Sequence, residues 1–307
     1  MTHVKADILN PLHIPADFTV SIPSALPDNS MAAYPPAALP QAFLTVFLLP
    51  HAYALDYAFS GAPAYEYQSE ELTIGIQKVQ ENGVTYFLAD IRIHEPDHIK
   101  SAMAGKYEGI KNGRKSEPTS VIAERNNAVL AINADNFKSH SYGIIIRNGE
   151  VLRKKDTTRH LMAIDPSGNL DLYNERSATK TLAEALVSEG VLNSFEFGPV
   201  LVKDGKPTEL GKSFKLIATR DSILEPRTAI GQLGTLHYLV IVVDGRREGY
   251  SKGMNLHDLQ ALFLRYGAQN AFNLDGGGST TLFFNGEVIN RPSGGRQRSV
   301  SDIILFR

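Results

Sequence analysis

One carboxylate in the sequence lies beside glycines, which could let a ligand approach the backbone closely. The stretch NLDGGGSTT, residues 273–281, places Asp275 between an apolar segment and three glycines, and Ser279 and Thr280 follow at once. Glycine lets a ligand approach backbone N–H groups without interference from a Cβ, and successive N–H groups can form an anion-binding concavity. The pattern is typical either of an anion site beside a carboxylate or of a strand connection in which Asp275 bonds its own turn.

Five further segments share a related pattern, in which an apolar run ends in polar or charged residues and glycine or another turn former stands nearby. They are VVDGRREGYSKGMN (242–255), EPRTAIGQ (225–232), AINADNF (131–137), EFGPVLV (196–202) and NRPSGGRQRSVSD (290–302). Strand ends followed by flexible loops are frequent locations of binding sites. If these ends meet at one edge of a sheet, they form a pocket rich in Asp, Arg, Asn and hydroxyl groups, which suits an anionic sugar derivative. Taken singly, each also fits an ordinary turn or a surface ion pair.

Composition excludes several classes of function. The 307 residues are 43% hydrophobic and 21% charged with a net charge of −2, which is typical of a soluble globular protein and gives no basic footprint for nucleic acid. The absence of cysteine excludes disulfides, thiolate nucleophiles and Cys-ligated zinc. The histidines show no regular ligand spacing, so we expect no metal and no cofactor. The N-terminus lacks the apolar region of a signal peptide, and the longest apolar run, AFLTVFLL (42–49), is shorter than the roughly 20 residues that span a bilayer.

The first 65 residues differ from the rest of the chain. They contain nine prolines, which remove backbone donors and fix φ, so little regular structure is expected there. We predict an extended arm or the remnant of an anchor over residues 1–65 and a single catalytic domain over residues 66–307. The arm could also join copies of the chain into a homo-oligomer.

Strand signals dominate the domain. Alternating segments on either side of Asn82-Gly83 predict a hairpin, and the Asx-Gly pairs at 148–149, 204–205 and 285–286 predict three more. The nearly continuous apolar runs 128–132 and 236–243 predict buried strands.

Three helices are expected. The first spans 118–125, the second follows a capping box at Thr181 and stops at Gly190, and the third follows Asn255. Together with the hairpins, these elements predict an α+β fold with a mixed β-sheet core and a few packed helices.

In combination, the motifs PRTAIG, VVDGR, GYSKGMNL, NLDGGGSTT and NRP resemble those of the phosphodiester glycosidase family, over residues 71–307. The resemblance implies hydrolysis of the sugar C1–O bond of a sugar-1-phosphodiester, of GlcNAc type or within a cell-surface glycan, to free sugar and a phosphomonoester. The pocket residues that it implies, besides the two candidate catalytic carboxylates Asp275 and Asp244, are Asn133, Asp135, Arg227, Arg246, Ser251, Gly276, Gly277, Gly278, Ser279, Thr280, Asn290 and Arg291.

For the mechanism we hypothesise that Arg227 and Arg246 bind the phosphate, assisted by the glycine amides and the Ser279 hydroxyl. Asp275 or Asp244 acts on the sugar, as nucleophile or as base for water. The chain departs from the family pattern at Asn133-Ala134-Asp135, where many members have Asn-Gly-Gly or Asn-Gly-Asp. It departs again at Gln297, where a glutamate is frequent.

Two alternatives remain open. The first is a metal-dependent phosphodiesterase that cuts P–O, with Asp135, Asp244 and Asp275 as ligands. The second is a non-catalytic module that binds glycan or teichoic acid. The family resemblance also implies a bacterial, exopolysaccharide-related protein in an extracytoplasmic or cell-surface location. We expect a sugar-phosphate or glycan phosphodiester as partner, no nucleic acid, and membrane contact only through an anchor missing upstream.

Overall fold

The computed structural model describes residues 57–105, 115–173, 180–210 and 223–307. The arm predicted for residues 1–65 lies outside the described residues up to residue 56, and the domain boundary at residue 65 stays a prediction. Residues 57–64 pack on the first hairpin, since Phe59 is buried and the Ala64 N–H donates to the Ile76 carbonyl at 2.7 Å. No helix in the described ranges has the length and apolar character needed to cross a membrane.

Short strands form most of the regular structure. Their bounds are β1 Tyr65–Gln68, β2 Leu72–Glu81, β3 Val84–Ile93, β4 Ile99–Met103, β5 Leu130–Asn133, β6 Gly143–Arg147, β7 Glu150–Lys155, β8 His160–Ile164, β9 Leu170–Tyr173, β10 Asn193–Phe197, β11 Val200–Lys203, β12 Lys206–Pro207, β13 Arg227–Gly234, β14 His237–Val243, β15 Asn270–Asn273, β16 Leu282–Phe284, β17 Glu287–Val288 and β18 Asp302–Phe306. The α-helices are α1 Thr119–Arg125, α2 Lys180–Ser188 and α3 Leu256–Arg265. The prediction of an α+β fold is confirmed.

The strands pair antiparallel into one large sheet and three smaller ones. The large sheet has the order β1-β2-β3-β14-β13-β15-β11-β12, and a five-stranded sheet has the order β17-β16-β5-β18-β4. A three-stranded sheet has the order β10-β8-β9, and a two-stranded sheet pairs β6 with β7. Consecutive strands such as β15 and β16 belong to different sheets, so the chain passes between sheets at several points.

Burial on both faces of the large sheet explains its apolar central strands. In β3, Phe87 and Ile91 join a core shared with the five-stranded sheet, whereas Tyr86 and Leu88 join a second core that includes α3. Helix α1 covers the outer face of the five-stranded sheet. A side chain on either face of a central strand is thus removed from water, which favours the nearly continuous hydrophobic runs seen in the sequence.

The four hairpins predicted from Asx-Gly pairs are confirmed as β2-β3, β6-β7, β11-β12 and β16-β17. Each turn has its Asx residue in the left-handed region, with φ of 51° at Asn82, 50° at Asn148, 52° at Asp204 and 45° at Asn285. Asn and Asp tolerate this conformation better than other non-glycine residues, and a following glycine completes a tight two-residue turn.

The three predicted helices are also present. Asn255 caps α3, since its side chain accepts from the Asp258 N–H at 2.8 Å. Gly190 has a φ of 83° and ends α2, as predicted. The capping box at Thr181 is wrong in position, because α2 already includes Lys180 and Thr181 lies in its first turn.

Candidate active site

The motif NLDGGGSTT lies where the chain leaves the large sheet and enters the five-stranded sheet. It connects β15 to β16, and it is fixed to the end of β5 on the way. The Asp275 N–H donates to the Ala134 carbonyl at 2.9 Å, and the Asp275 carbonyl accepts from Asn133 Nδ2 at 2.6 Å. On the other side, the Gly277 N–H donates to the Pro226 carbonyl at 2.9 Å, just before β13. The loop is therefore held by strands of both sheets at the place where the sheets separate.

Asn133 is part of this scaffold. It is fully buried, and its Oδ1 accepts from Thr228 Oγ1 at 2.8 Å and from the Thr281 N–H at 3.0 Å. Because these bonds and the bond to Asp275 occupy its amide, Asn133 positions the motif. The substrate contact expected for it stays a prediction.

A cavity of about 400 Å³ opens beside the motif. This volume is in the range of ligand pockets, which are roughly 300–1,000 Å³. The side chains with charge or hydrogen-bonding groups at its wall include Asp135, Asn136, Lys138, Asp275, Ser279 and Arg298. The structure thus brings together Asp275, Ser279 and Asp135 from the predicted set, and it adds Asn136, Lys138 and Arg298.

Asp275 has the environment of a reactive carboxylate. Burial raises its pKa, while the Ser279 hydroxyl, the Arg298 charge and the Gly276 N–H act to lower it. Its side chain remains half-buried at the cavity wall, so it can reach a bound molecule. A carboxylate that is partly desolvated yet held by donors can serve as nucleophile or base.

Two arginines approach the triple glycine closely. A Cβ on Gly278 would overlap the guanidinium of Arg298, and a Cβ on Gly277 would lie 3.2 Å from Arg246 Nη2. Gly277 also has a φ of 60°, which disfavours any other residue. At Gly277 glycine is favoured by the backbone conformation, and at Gly278 it lets the Arg298 guanidinium pack against the backbone that follows Asp275. Arg298 was missing from the predicted set, although its place beside a glycine-rich loop was a usable signal.

Arg246 and Arg227 have different roles. Arg246 is about half exposed, and its Nε donates to Glu225. Arg227 is only 3% exposed, donates from Nε to the Met254 carbonyl at 3.0 Å and from Nη2 to the Ile223 carbonyl at 2.8 Å, and has its pKa lowered to about 10 by burial. The Arg227 guanidinium therefore links two backbone segments, and the phosphate-binding role expected for it stays a prediction.

Asp244 also has a structural environment. It is 1% exposed, and its two oxygens accept from Tyr250 Oη at 2.8 Å, Asn290 Nδ2 at 2.9 Å and the Arg291 N–H at 3.0–3.1 Å. Burial raises its pKa, while these donors lower it. These bonds show that Asp244 joins the loop after β14 to the segment around Asn290. The catalytic role expected from the sequence stays a prediction.

Several other predicted binding residues lie in the same region of the fold as Asp244. Ser251 is buried and donates to the Asp244 carbonyl at 2.6 Å, and Asn290 accepts from the Leu282 N–H at 2.8 Å. Thr280 is 1% exposed. Arg291 is the exception, since its side chain is exposed and its guanidinium lies 4.6 Å from the centre of the Tyr250 ring. Ser251 and Asn290 thus bond protein groups, whereas the buried Thr280 hydroxyl has no hydrogen-bond partner in the described part of the chain. The substrate contacts expected for the three residues stay predictions.

Asp135 is held by a buried ionic cluster. Its carboxylate accepts from the Phe137 N–H at 2.7 Å and from Arg147 Nη2 at 3.2 Å, and Arg147 also pairs with Asp302. Arg147 and Asp302 are fully buried. The sequence reasoning missed both, although an Arg ending GIIIR and an Asp opening DIILF are charges in otherwise apolar strands, which need a buried partner.

Glu196 is a second buried carboxyl near this cluster. Its Oε1 accepts from the Ile144 N–H at 2.7 Å, and Oε2 has no hydrogen-bond partner in the described part of the chain. Burial raises its pKa to about 8. Glu196 is therefore neutral in the folded protein at neutral pH, whereas it is ionised in the unfolded chain.

This difference predicts a pH-dependent stability. The folded protein keeps the Glu196 proton as pH rises from 4.5, the ordinary pKa, to about 8. Over that interval the unfolded state loses its proton, so the free energy of unfolding should fall by roughly 3–5 kcal/mol. Glu196→Gln should abolish this loss, and urea denaturation near pH 5 and pH 8 measures it. The exposed Glu189→Gln is the control, and an unchanged pH slope in Glu196→Gln would contradict the assignment.

Comparison with known proteins identifies the family. The sequence model of the phosphodiester glycosidase family matches residues 126–307, which include the whole motif and most of the cavity wall. The chain belongs to the phosphodiester glycosidase family. This confirms the resemblance seen in the motifs and the prediction of a hydrolase of the phosphodiester glycosidase class.

The related proteins are mostly longer than this chain. The prophage-derived protein YomE of Bacillus subtilis is 35% identical over 192 residues, which are 60% of this chain and 29% of YomE. Bovine N-acetylglucosamine-1-phosphodiester alpha-N-acetylglucosaminidase is 36% identical over 72 residues, 24% of this chain and 13% of the bovine protein. The chain therefore spans less than a third of the length of the curated relatives that it matches.

Solved structures of other proteins have a similar fold. The catalytic domain of the zebrafish N-acetylglucosamine-1-phosphodiester alpha-N-acetylglucosaminidase, auto-inhibited by its pro-peptide, superposes with a TM-score of 0.61 at 20% identity, over 81% of this chain and 87% of that one. A hypothetical protein from Synechocystis gives 0.60 at 16% identity, over 81% and 64%. These similarities show a shared fold.

Proposed function

We propose that the domain hydrolyses the C1–O bond of a sugar-1-phosphodiester and releases free sugar and a phosphomonoester. The observation that carries this proposal is the cavity beside NLDGGGSTT, in which Asp275 meets the Ser279 hydroxyl and the Arg298 guanidinium. Membership in the phosphodiester glycosidase family supports the reaction class. The combination provides a carboxylate for the sugar and a cation for the phosphate.

The chemistry needs little acid assistance. A phosphomonoester is a weakly basic leaving group, so the electron pair of the C1–O bond can pass to phosphate oxygen without prior protonation. Asp275 acts on the anomeric carbon, either by attacking it directly or by taking a proton from the attacking water. Arg298 and the glycine-loop amides stabilise the charge that develops on the departing phosphate. In both versions one water is consumed, and its oxygen ends on C1 of the sugar.

We further propose a GlcNAc-type sugar or a cell-surface glycan phosphodiester as the substrate, and an extracytoplasmic location. Two observations support the sugar: the name of the bovine relative and the size of the cavity. An exopolysaccharide-related role in a bacterial cell, and assembly of copies through the N-terminal arm, are parts of the same proposal.

The reaction in oxygen-18 water tests the proposal. Cleavage of C1–O places the label in the released sugar, which mass spectrometry detects, and leaves the phosphomonoester unlabelled. Label in the phosphate, together with loss of activity in EDTA, would establish the metal-dependent alternative. Among the described residues, no group of three His, Cys, Asp or Glu side chains lies close enough to hold a metal ion. Binding without any product would establish the non-catalytic alternative.

A further inference from the structure

A second cationic surface includes Arg246, which approaches Gly277 of the glycine loop. It consists of Lys78, Arg246, Arg247, Tyr250 and Arg291, which we call the Tyr250 shelf. Residues 246–252 and Gly83 line an open cavity of about 640 Å³ at this place. The shelf shares no lining residue with the cavity that contains Asp275.

Tyr250 organises the shelf. Its hydroxyl donates to Asp244 at 2.8 Å, which fixes the ring against the end of β14. The Arg291 guanidinium lies 4.6 Å from the ring centre, and Lys78 Nζ lies 5.9 Å from it. A cation held over an aromatic ring keeps its place near the surface, since the ring quadrupole attracts it.

These cations retain capacity for an anion. Within the described ranges, the side chains of Lys78 and Arg291 make no hydrogen bond, and the buried Nε of Arg247 lacks a partner. The carboxylates nearby are Glu225, which pairs with Arg246, the exposed Glu248, and Asp244, whose oxygens are already occupied. Four cations therefore face three carboxylates, which leaves a net positive charge on the shelf.

Arg246 joins the shelf to the active site. Its Nη2 is the atom that a Cβ on Gly277 would approach at 3.2 Å, whereas the next glycine, Gly278, packs against Arg298. Adjacent Cα atoms are only about 3.8 Å apart, so the two guanidinium groups flank neighbouring residues of one loop. A polymer with phosphates at successive units has an anionic group to offer at each of the two places.

We propose that the Tyr250 shelf is a subsite for a second phosphate of the same substrate, so that the natural substrate is a polymer with repeated phosphodiester groups. The inference rests on the proposed function of the Asp275 cavity. It adds a class of substrate, because a molecule with a single phosphodiester would leave the shelf empty.

The test compares two synthetic substrates that share one sugar, a monomeric sugar-1-phosphodiester and an oligomer with at least three such units. Lys78→Gln and Lys78→Glu change the charge on an exposed strand position without altering a residue of the Asp275 cavity. One exposed charge interaction is worth roughly 0.2–1 kcal/mol, so kcat/KM for the oligomer should fall about two- to fivefold in Lys78→Gln and about tenfold in Lys78→Glu. The monomer should be cleaved within twofold of the wild-type rate.

Lys206→Gln and Lys206→Glu, at an exposed position on the edge strand β12, are the matched controls. Added salt should reduce the wild-type rate on the oligomer more steeply than on the monomer, because exposed charges are screened. Equal losses on both substrates, or no loss on the oligomer, would overturn the subsite.

Equilibrium binding of the oligomer separates the two proposals. If the wild type binds the oligomer through Lys78 but releases no sugar from either substrate, the subsite stands and the proposed reaction fails. If sugar is released from both substrates and Lys78 variants behave as wild type, the reaction stands and the subsite fails.

Discussion

Asp275→Asn should lower kcat on a sugar-1-phosphodiester by roughly 10²–10⁴-fold, while the protein stays folded. The change removes the charge that acts on the anomeric carbon but keeps the size of the side chain. Because burial raises the pKa of this carboxyl, replacing it by a neutral amide should not reduce the free energy of unfolding. Steady-state kinetics and urea denaturation measure the two effects separately.

Asp171→Asn is the matched control, since it changes a half-buried carboxyl of β9 whose pKa burial also raises. It should leave turnover unchanged. The wild-type rate should also increase with pH as Asp275 ionises, with a midpoint above the ordinary value of 3.8, and this step should be absent from the residual activity of Asp275→Asn. Turnover near the wild-type value in folded Asp275→Asn would remove this residue from the mechanism.

Arg147→Met should reduce the free energy of unfolding by roughly 3–5 kcal/mol, the largest stability effect expected for one substitution here. Arg147 is fully buried and forms ion pairs with both Asp135 and Asp302, and its guanidinium lies 4.5 Å from the centre of the Phe195 ring. Methionine preserves much of the packing, so the loss comes mainly from two carboxylates left unpaired. Urea denaturation near neutral pH measures it.

Two variants distinguish unpaired charge from lost packing as the cause of the stability loss in Arg147→Met. Adding Asp302→Asn to Arg147→Met should restore part of the stability, because it removes one unpaired carboxylate. Lys154→Met breaks the exposed pair with Glu184 and should cost no more than about 1 kcal/mol. The deficit of Arg147→Met should shrink at acid pH, where protonation neutralises the carboxylates. A deficit that is unchanged by Asp302→Asn and by pH would assign it to packing.

The local structure could be predicted from short sequence patterns. Asx-Gly pairs located the hairpins because positive φ is costly for most residues, and Asn255 located α3 because an amide oxygen can satisfy the free N–H groups of a helix start. These signals act over a few residues. The start of α2 was placed at least two residues too late, since the end of a helix depends on its surroundings as well as on its cap.

The motif NLDGGGSTT also predicted more than a turn. It identified Asp275 and Ser279, which the structure places at the cavity wall. It also has glycines at the positions against which two guanidinium groups pack. The family resemblance followed from the order of several such motifs along the chain, and family membership confirmed it.

The surroundings of each charged residue were decided by tertiary structure alone. Asp244 and Arg227 occur in motifs as distinctive as that of Asp275, yet both are almost completely buried and bonded to protein groups, whereas Arg298 reaches the cavity. A sequence specifies that a carboxylate or guanidinium is present, but its partners come from strands far apart in the chain. Whether its hydrogen bonds are used inside the protein or left for a ligand depends on those partners, and only the folded sheets determine them.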